Sequence, residues 1–124
     1  MSKTILIVDD SATMLMSVKS SLEINGFWVE SATDGVEALN KLNSGIKPDL
    51  IITDINMPNM DGLELIKQVK AIPAFRFTPI LTLTTESQAA KRDEGKRLGA
   101  TGWLVKPLAG NELVKVIRQV LPGA

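Results

Sequence analysis

The chain has 124 residues, fourteen basic and fourteen acidic, and a pI near 6.3, so bulk charge gives it no reason to bind nucleic acid or an anionic membrane. It contains no histidine, cysteine or tyrosine. That excludes Ser-His and Cys-His catalysis, a His/Cys zinc site, a disulfide framework and a phosphohistidine carrier, and leaves carboxylates, hydroxyls and lysines to do any chemistry beside a hard, oxygen-bound metal.

In chain order, Thr4 to Val8 is a short apolar run ending at Asp9 and Asp10. It is far too short for a signal h-region or a membrane span and reads as a strand buried on both faces. Beyond Ser11, Leu15, Val18 and Leu22 form one helical stripe closed by Gly26. Phe27 to Ala32 is a weaker strand, and Val36, Leu39 and Leu42 make a second stripe closed by Gly45. Leu50 to Thr53 is the next buried strand, with Asp54 directly after it, and Leu63, Ile66 and Val69 make a third stripe. Ile80 to Leu83 is a fourth strand and Thr84 ends it.

The helical segment Ser87 to Leu98 differs, because its charged residues leave only Ala89, Ala90 and Leu98 for burial. It is expected to pack weakly, as an ordinary solvated helix or as a low-stability element that a neighbouring site can bias. Trp103 to Val105 is the fifth strand, followed by Lys106. The last helix carries Leu113, Ile117, Val120 and Leu121 and stops at Pro122-Gly123, which makes residues 1–124 read as one complete domain with nothing left for an appended output domain. Short buried strands alternating with helices predict an α/β fold, a doubly wound parallel sheet of five strands and five helices. Its ligand site is expected at the carboxyl ends of the strands. The protein is expected to be soluble, cytoplasmic and monomeric.

At those ends the sequence places Asp9 and Asp10, Asp54, Thr84 and Lys106. Two unit charges about 4 Å apart repel by roughly 4 kcal/mol at an effective dielectric near 20, so three converging carboxylates must take up protons or hold a cation. Mg2+, with Mn2+ as a substitute, suits an all-oxygen cluster open to solvent, because it uses few protein carboxylates and bridges to phosphate oxygens. Asp54 is then a nucleophile for a phosphoryl group, Lys106 a point charge for one phosphoryl oxygen and the Thr84 hydroxyl a donor to another. Singly, each has a plainer reading: a strand end and helix cap for Asp9-Asp10-Ser11, a β-former for Thr84, a surface lysine for Lys106. Their joint placement at successive strand ends favours the chemical one.

Asp9-Asp10 after an apolar strand, Asp54 within Asp-Ile-Asn-Met-Pro-Asn-Met-Asp-Gly, Thr84 and Lys106-Pro107 stand in the order and at the separations of a known family. Over its whole length the chain resembles the receiver domains of two-component response regulators. Asp34-Gly35-Val36-Glu37-Ala38 and Gly102-Trp103-Leu104-Val105-Lys106-Pro107 look most like the single-domain CheY type of chemotaxis regulator.

The resemblance implies the flavodoxin-like strand order 2-1-3-4-5. It also implies transfer of a phosphoryl group from a sensor histidine kinase of the chemotaxis type to Asp54, without turnover catalysis. Asp10 and Asp54 would ligate Mg2+ with the backbone carbonyl of Asn56, Asp9 would act mainly through water, and the Lys106-Pro107 peptide would be cis. Thr84 would move toward the phosphoryl group with Trp103 following inward, where relatives usually carry tyrosine or phenylalanine. Asn56 and Glu86 match the combination of fast-relaxing regulators and imply a short-lived phosphoaspartate. Thr85 departs from the usual alanine or glycine and adds bulk there. The output surface would be the fourth helix, fifth strand and fifth helix, taken by a target such as a flagellar motor switch or a phosphatase. The same residues leave other readings open. An aspartate-nucleophile phosphatase would share Asp54 and Mg2+ but needs a cap or pocket. An FMN carrier would need a Gly/Ser/Thr-rich first loop where Asp9-Asp10 stands. A receiver acting as a plain binding module would not need the intact acidic cluster.

Overall fold

A strand that is apolar at every position has no wet face and must be covered on both sides. In the computed structural model, which describes residues 2–123 and leaves Met1 and Ala124 outside the described residues, β1, β3 and β4 come close to this pattern, and five strands form one parallel sheet in the order β2-β1-β3-β4-β5. They are β1 (Thr4–Val8), β2 (Trp28–Ala32), β3 (Leu50–Thr53), β4 (Ile80–Thr84) and β5 (Gly102–Val105). Ile5 sits between Val29 and Leu50, and Thr82 lies beside Trp103. Five helices cover the sheet: α1 (Ala12–Ile24), α2 (Gly35–Asn43), α3 (Gly62–Ala71), α4 (Ala89–Leu98) and α5 (Gly110–Val120), with a short 3-10 turn at Pro73–Phe75.

Because side chains alternate along a strand, the sheet serves two cores. Ile5, Ile7, Leu50, Ile52, Leu81 and Leu83 pack against Val18 and Leu22 of α1 and Leu113, Val114 and Ile117 of α5. Leu6, Val8, Ile51 and Ile80 pack on the other side against Ala38 and Leu42 of α2 and Leu63, Leu65, Ile66 and Val69 of α3. Three helices begin on a side-chain cap: Ser11 accepts the Met14 N–H, Asp34 the Glu37 N–H and Asp61 the Glu64 N–H. The glycines expected to close the first two helices, Gly26 and Gly45, have φ of 91° and 111°, the left-handed conformation that a side chain would strain.

Three expectations fail locally. The apolar stripe of α2 is rotated: Gly35, Ala38 and Leu42 face the core, while Val36 is 42 % exposed, because the close fit of Gly35 under Met60 sets the buried face. The fourth helix starts at Ala89 rather than Ser87, and Ala89 and Ala90 are exposed. Its buried residue is Gly95, since the Trp103 ring occupies the space where a side chain would lie. Finally, β5 is only partly buried, because it is the sheet's edge strand and its cover is the short polar α4. Among the described residues no helix is long and apolar enough to cross a membrane.

Candidate functional site

The sheet ladder continues one residue past β1 and β3, which fixes the acidic residues before their side chains do anything. Asp9 N–H bonds to the Ala32 carbonyl at 3.1 Å and Asp54 N–H to the Val8 carbonyl at 2.8 Å. Both carboxylates are therefore held at the carboxyl edge of the central strands, and both are buried, whereas Asp10 points to solvent. One oxygen from each of Asp9, Asp10 and Asp54 lies within 4.8 Å of the others. The trio expected from sequence is thus assembled.

Lys106 enters from the opposite edge of the sheet, its own N–H held by the Thr84 carbonyl at 2.8 Å and its bond to Pro107 cis, as expected. Its ammonium donates to Asp9 Oδ2 at 2.8 Å and to Asp54 Oδ2 at 3.3 Å. The Lys106, Asp9 and Asp54 side chains are 17 %, 5 % and 10 % exposed, so this is an ion-pair cluster largely removed from solvent. Burial works against the charged amine, yet the hydrogen bond to Asp9 and the charges of Asp54 and Asp9 outweigh it and raise the Lys106 pKa above its ordinary value. Asp9 Oδ1 accepts the Ser11 N–H at 2.9 Å, and Asp54 Oδ1 accepts the Ile55 N–H at 2.7 Å. The second oxygen of each is what faces the cation. Lys106 supplies one positive charge to two buried carboxylates, so the pair retains net negative charge and capacity for a further hard cation.

Thr84 is fully buried at the end of β4, and its hydroxyl accepts the Glu86 N–H at 3.1 Å. The carbonyl of the same Glu86 accepts the indole N–H of Trp103 at 3.0 Å. Thr84 and Trp103 therefore hold residue 86 from two sides and form one continuous path from the acidic edge to α4. Trp103 is half-buried with its ring over Gly95, where an added Cβ would lie 2.8 Å from Cζ3. Neither the Glu86 carbonyl nor Gly95 was among the expected site residues. A glycine inside an otherwise polar helix, where it costs about 1 kcal/mol relative to alanine, is the sequence signal that points to it. Thr85 is exposed and Glu86 half-buried on the loop after β4, and Asn56 is exposed two residues beyond Asp54.

At the acidic edge Asp9 and Asp54 are buried and Asp10 is the exposed member of the trio. Concave surfaces lie elsewhere, one of about 350 Å³ between α4 and β5 beside Lys96 and Trp103, another of about 590 Å³ between α1 and α5 beside Ser21 and Lys115. Neither includes a residue of the acidic trio.

A family described as "Response regulator receiver domain" matches residues 5–118. The chain is 45 % identical to the Vibrio cholerae chemotaxis protein CheY4, with a TM-score of 0.93 over 98 % of this chain and 100 % of that one. A CheY-like receiver domain protein from Methanospirillum hungatei superposes with a TM-score of 0.91 at 28 % identity, over 97 % of this chain and 94 % of its own. Among curated proteins, the response regulator MprA of Mycobacterium tuberculosis is 40 % identical over 98 % of this chain. The chain spans about half, 51 %, of that protein's length.

Proposed function

The chain belongs to the response regulator receiver domain family, and from that premise we propose that it is the phosphoacceptor of a two-component system, modified on Asp54 by a sensor histidine kinase. The observation that carries this reading is the buried Asp54 carboxylate at the carboxyl end of β3, one oxygen tied down by Ile55 N–H and the other facing Lys106. Receivers of this family bind Mg2+ at an acidic pocket, and the Asp9, Asp10 and Asp54 oxygens, mutually within 4.8 Å, fit a hard divalent ion. Asp10 and Asp54 would hold it with the Asn56 carbonyl, Asp9 acting through water. When bound, the ion offsets charge on the transferring phosphoryl oxygens.

In the transfer, Asp54 Oδ2 forms a bond to phosphorus as the phosphorus–nitrogen bond of the donor's phosphoimidazolium breaks, and the imidazole leaves neutral. Lys106, already beside Oδ2, moves its hydrogen bond to a phosphoryl oxygen. Hydrolysis returns the carboxylate when water attacks phosphorus and inorganic phosphate departs. The protein is an acceptor that catalyses its own modification rather than a turnover enzyme. Asn56, Thr85 and Glu86 line the approach to the acyl phosphate and tune how long it lasts. The match to a chemotaxis protein over 98 % of this chain and 100 % of that one supports a chemotaxis role, and with it go a short-lived phosphoaspartate and a target such as a motor switch or a phosphatase.

Intact mass after treatment with a small acyl phosphate tests the chemistry. The expected result is a single phosphoryl adduct that forms with Mg2+, fails to form in chelator and maps to the peptide carrying Asp54. An adduct on another residue would overturn the assignment, and one persisting for hours in Mg2+ would overturn the short lifetime.

The signal leaves through Thr84. A hydroxyl that moves to donate to a phosphoryl oxygen gives up the Glu86 N–H, which loosens residue 86, whose carbonyl on the following peptide holds Trp103. Favouring one of two packings of α4 by a few kcal/mol is enough to shift the α4-β5-α5 surface. Trp28 is 69 % exposed and would contribute a solvent-quenched background. In a Trp28→Phe variant, a phosphoryl mimic with Mg2+ is expected to change the emission of Trp103. Unchanged emission would exclude Trp103 from the switch.

A further inference from the structure

The loop from β3 to α3 carries Asn56, and it is anchored at two places. At its base the Gly62 N–H bonds to the Ile55 carbonyl at 2.8 Å. At its tip Asn59 Nδ2 donates to Asp34 Oδ2 at 2.7 Å, across 25 residues of sequence. Asn59 adopts φ of 65°, the left-handed conformation that a side chain disfavours, and asparagine tolerates it better than most residues. Asp34 is itself fixed, because its other oxygen accepts the Glu37 N–H at 2.8 Å as the N-cap of α2. Next to this polar contact is an apolar one. Met60 lies so close over Gly35 that a Cβ there would come within 2.8 Å of its Cγ. Asp34-Gly35 thus receives Asn59-Met60 as one docking step, and Asn56 lies in the span between the two anchors.

Mg2+ demands near-ideal octahedral geometry, so a backbone carbonyl on a free loop would be a poor ligand and one on a tethered loop a preorganised one. We propose that Asp34 and Asn59 are positioning residues, which hold the Asn56 carbonyl where a divalent ion can use it. This inference rests on the reading that the acidic trio binds Mg2+.

Calorimetric titration of the full chain with Mg2+ tests it. Asp34→Ser keeps a helix cap but is too short to reach Asn59, and Asn59→Gly removes the amide while keeping the left-handed backbone free of strain. Each is expected to weaken Mg2+ binding about tenfold, the lower end for outer-shell partners of a metal. The double variant should be no weaker than either single one, because both remove the same hydrogen bond. Asp34→Asn, whose amide can pair with a flipped Asn59, should restore most of the affinity. With a small phosphodonor, the single variants should need more Mg2+ for half-maximal rate and reach the wild-type rate at saturation. Wild-type affinity in both single variants would overturn the proposal. A wild-type chain that binds no Mg2+ would overturn the metal reading on which it rests.

Discussion

Replacing Asp54 with asparagine is expected to abolish the Mg2+-dependent phosphoryl adduct while leaving the metal-free chain folded. The amide is not a nucleophile toward phosphorus, and no other carboxylate has the same position. Asp9 spends both oxygens on Ser11 and Lys106, and Asp10 is exposed. The fold should tolerate the change, because the carbonyl oxygen of the new amide can still accept the Ile55 N–H and Lys106 keeps its shorter bond to Asp9. Losing one carboxylate of a crowded trio also relieves repulsion, so the metal-free stability should change by no more than about 1 kcal/mol. The response to Mg2+ should change far more. A ligand at a hundred times its dissociation constant stabilises the folded state by about 2.7 kcal/mol, and most of that gain should vanish with one of the charged ligands. Thermal melts with and without Mg2+, beside intact mass, separate the two effects. An adduct of wild-type yield on the variant would remove Asp54 from the chemistry.

The central fold and the acidic trio were legible because their signals are local and strong. Uniformly apolar runs such as Ile5 to Val8 and Leu50 to Ile52 admit one environment, and their register brings Asp9 and Asp54 to one edge. The family resemblance then supplied the strand order and the cis peptide at Lys106. What escaped depends on contacts between distant segments. Val36 looked like a core residue by spacing, yet Gly35 under Met60 turns the α2 face away from it. Ala89 and Ala90 were the obvious apolar residues of α4, but the helix packs through Gly95 onto an indole supplied by the next strand. The Asp34–Asn59 tether joins two polar surface residues, and neither carries a periodic signal.

Gly62→Ala is expected to destabilise the protein by at least about 3 kcal/mol, a large share of the roughly 5–15 kcal/mol typical of a domain. In an ordinary helix the same change stabilises by about 0.5–1 kcal/mol, since alanine loses less backbone entropy on folding. Here the sign is reversed by position. An ideal Cβ on Gly62 would lie 2.1 Å from the backbone oxygen of Asp54 and 2.8 Å from Cα of Ile55. Those atoms cannot rotate aside, because Asp54 is pinned by its bond to the Val8 carbonyl and Ile55 is fully buried. Either the first turn of α3 or the end of β3 must move. A urea midpoint more than about 1 M lower, with the slope unchanged, is the expected measurement. At Gly95 the obstacle is the Trp103 ring, a side chain that can shift, so Gly95→Ala should cost less. Asp54 is the group displaced in Gly62→Ala, so the fraction that remains folded should also accept a phosphoryl group more slowly. A stability change below about 1 kcal/mol, with normal phosphorylation, would show that α3 can move away from the nucleophile and that the close approach at Gly62 does not hold Asp54 in place.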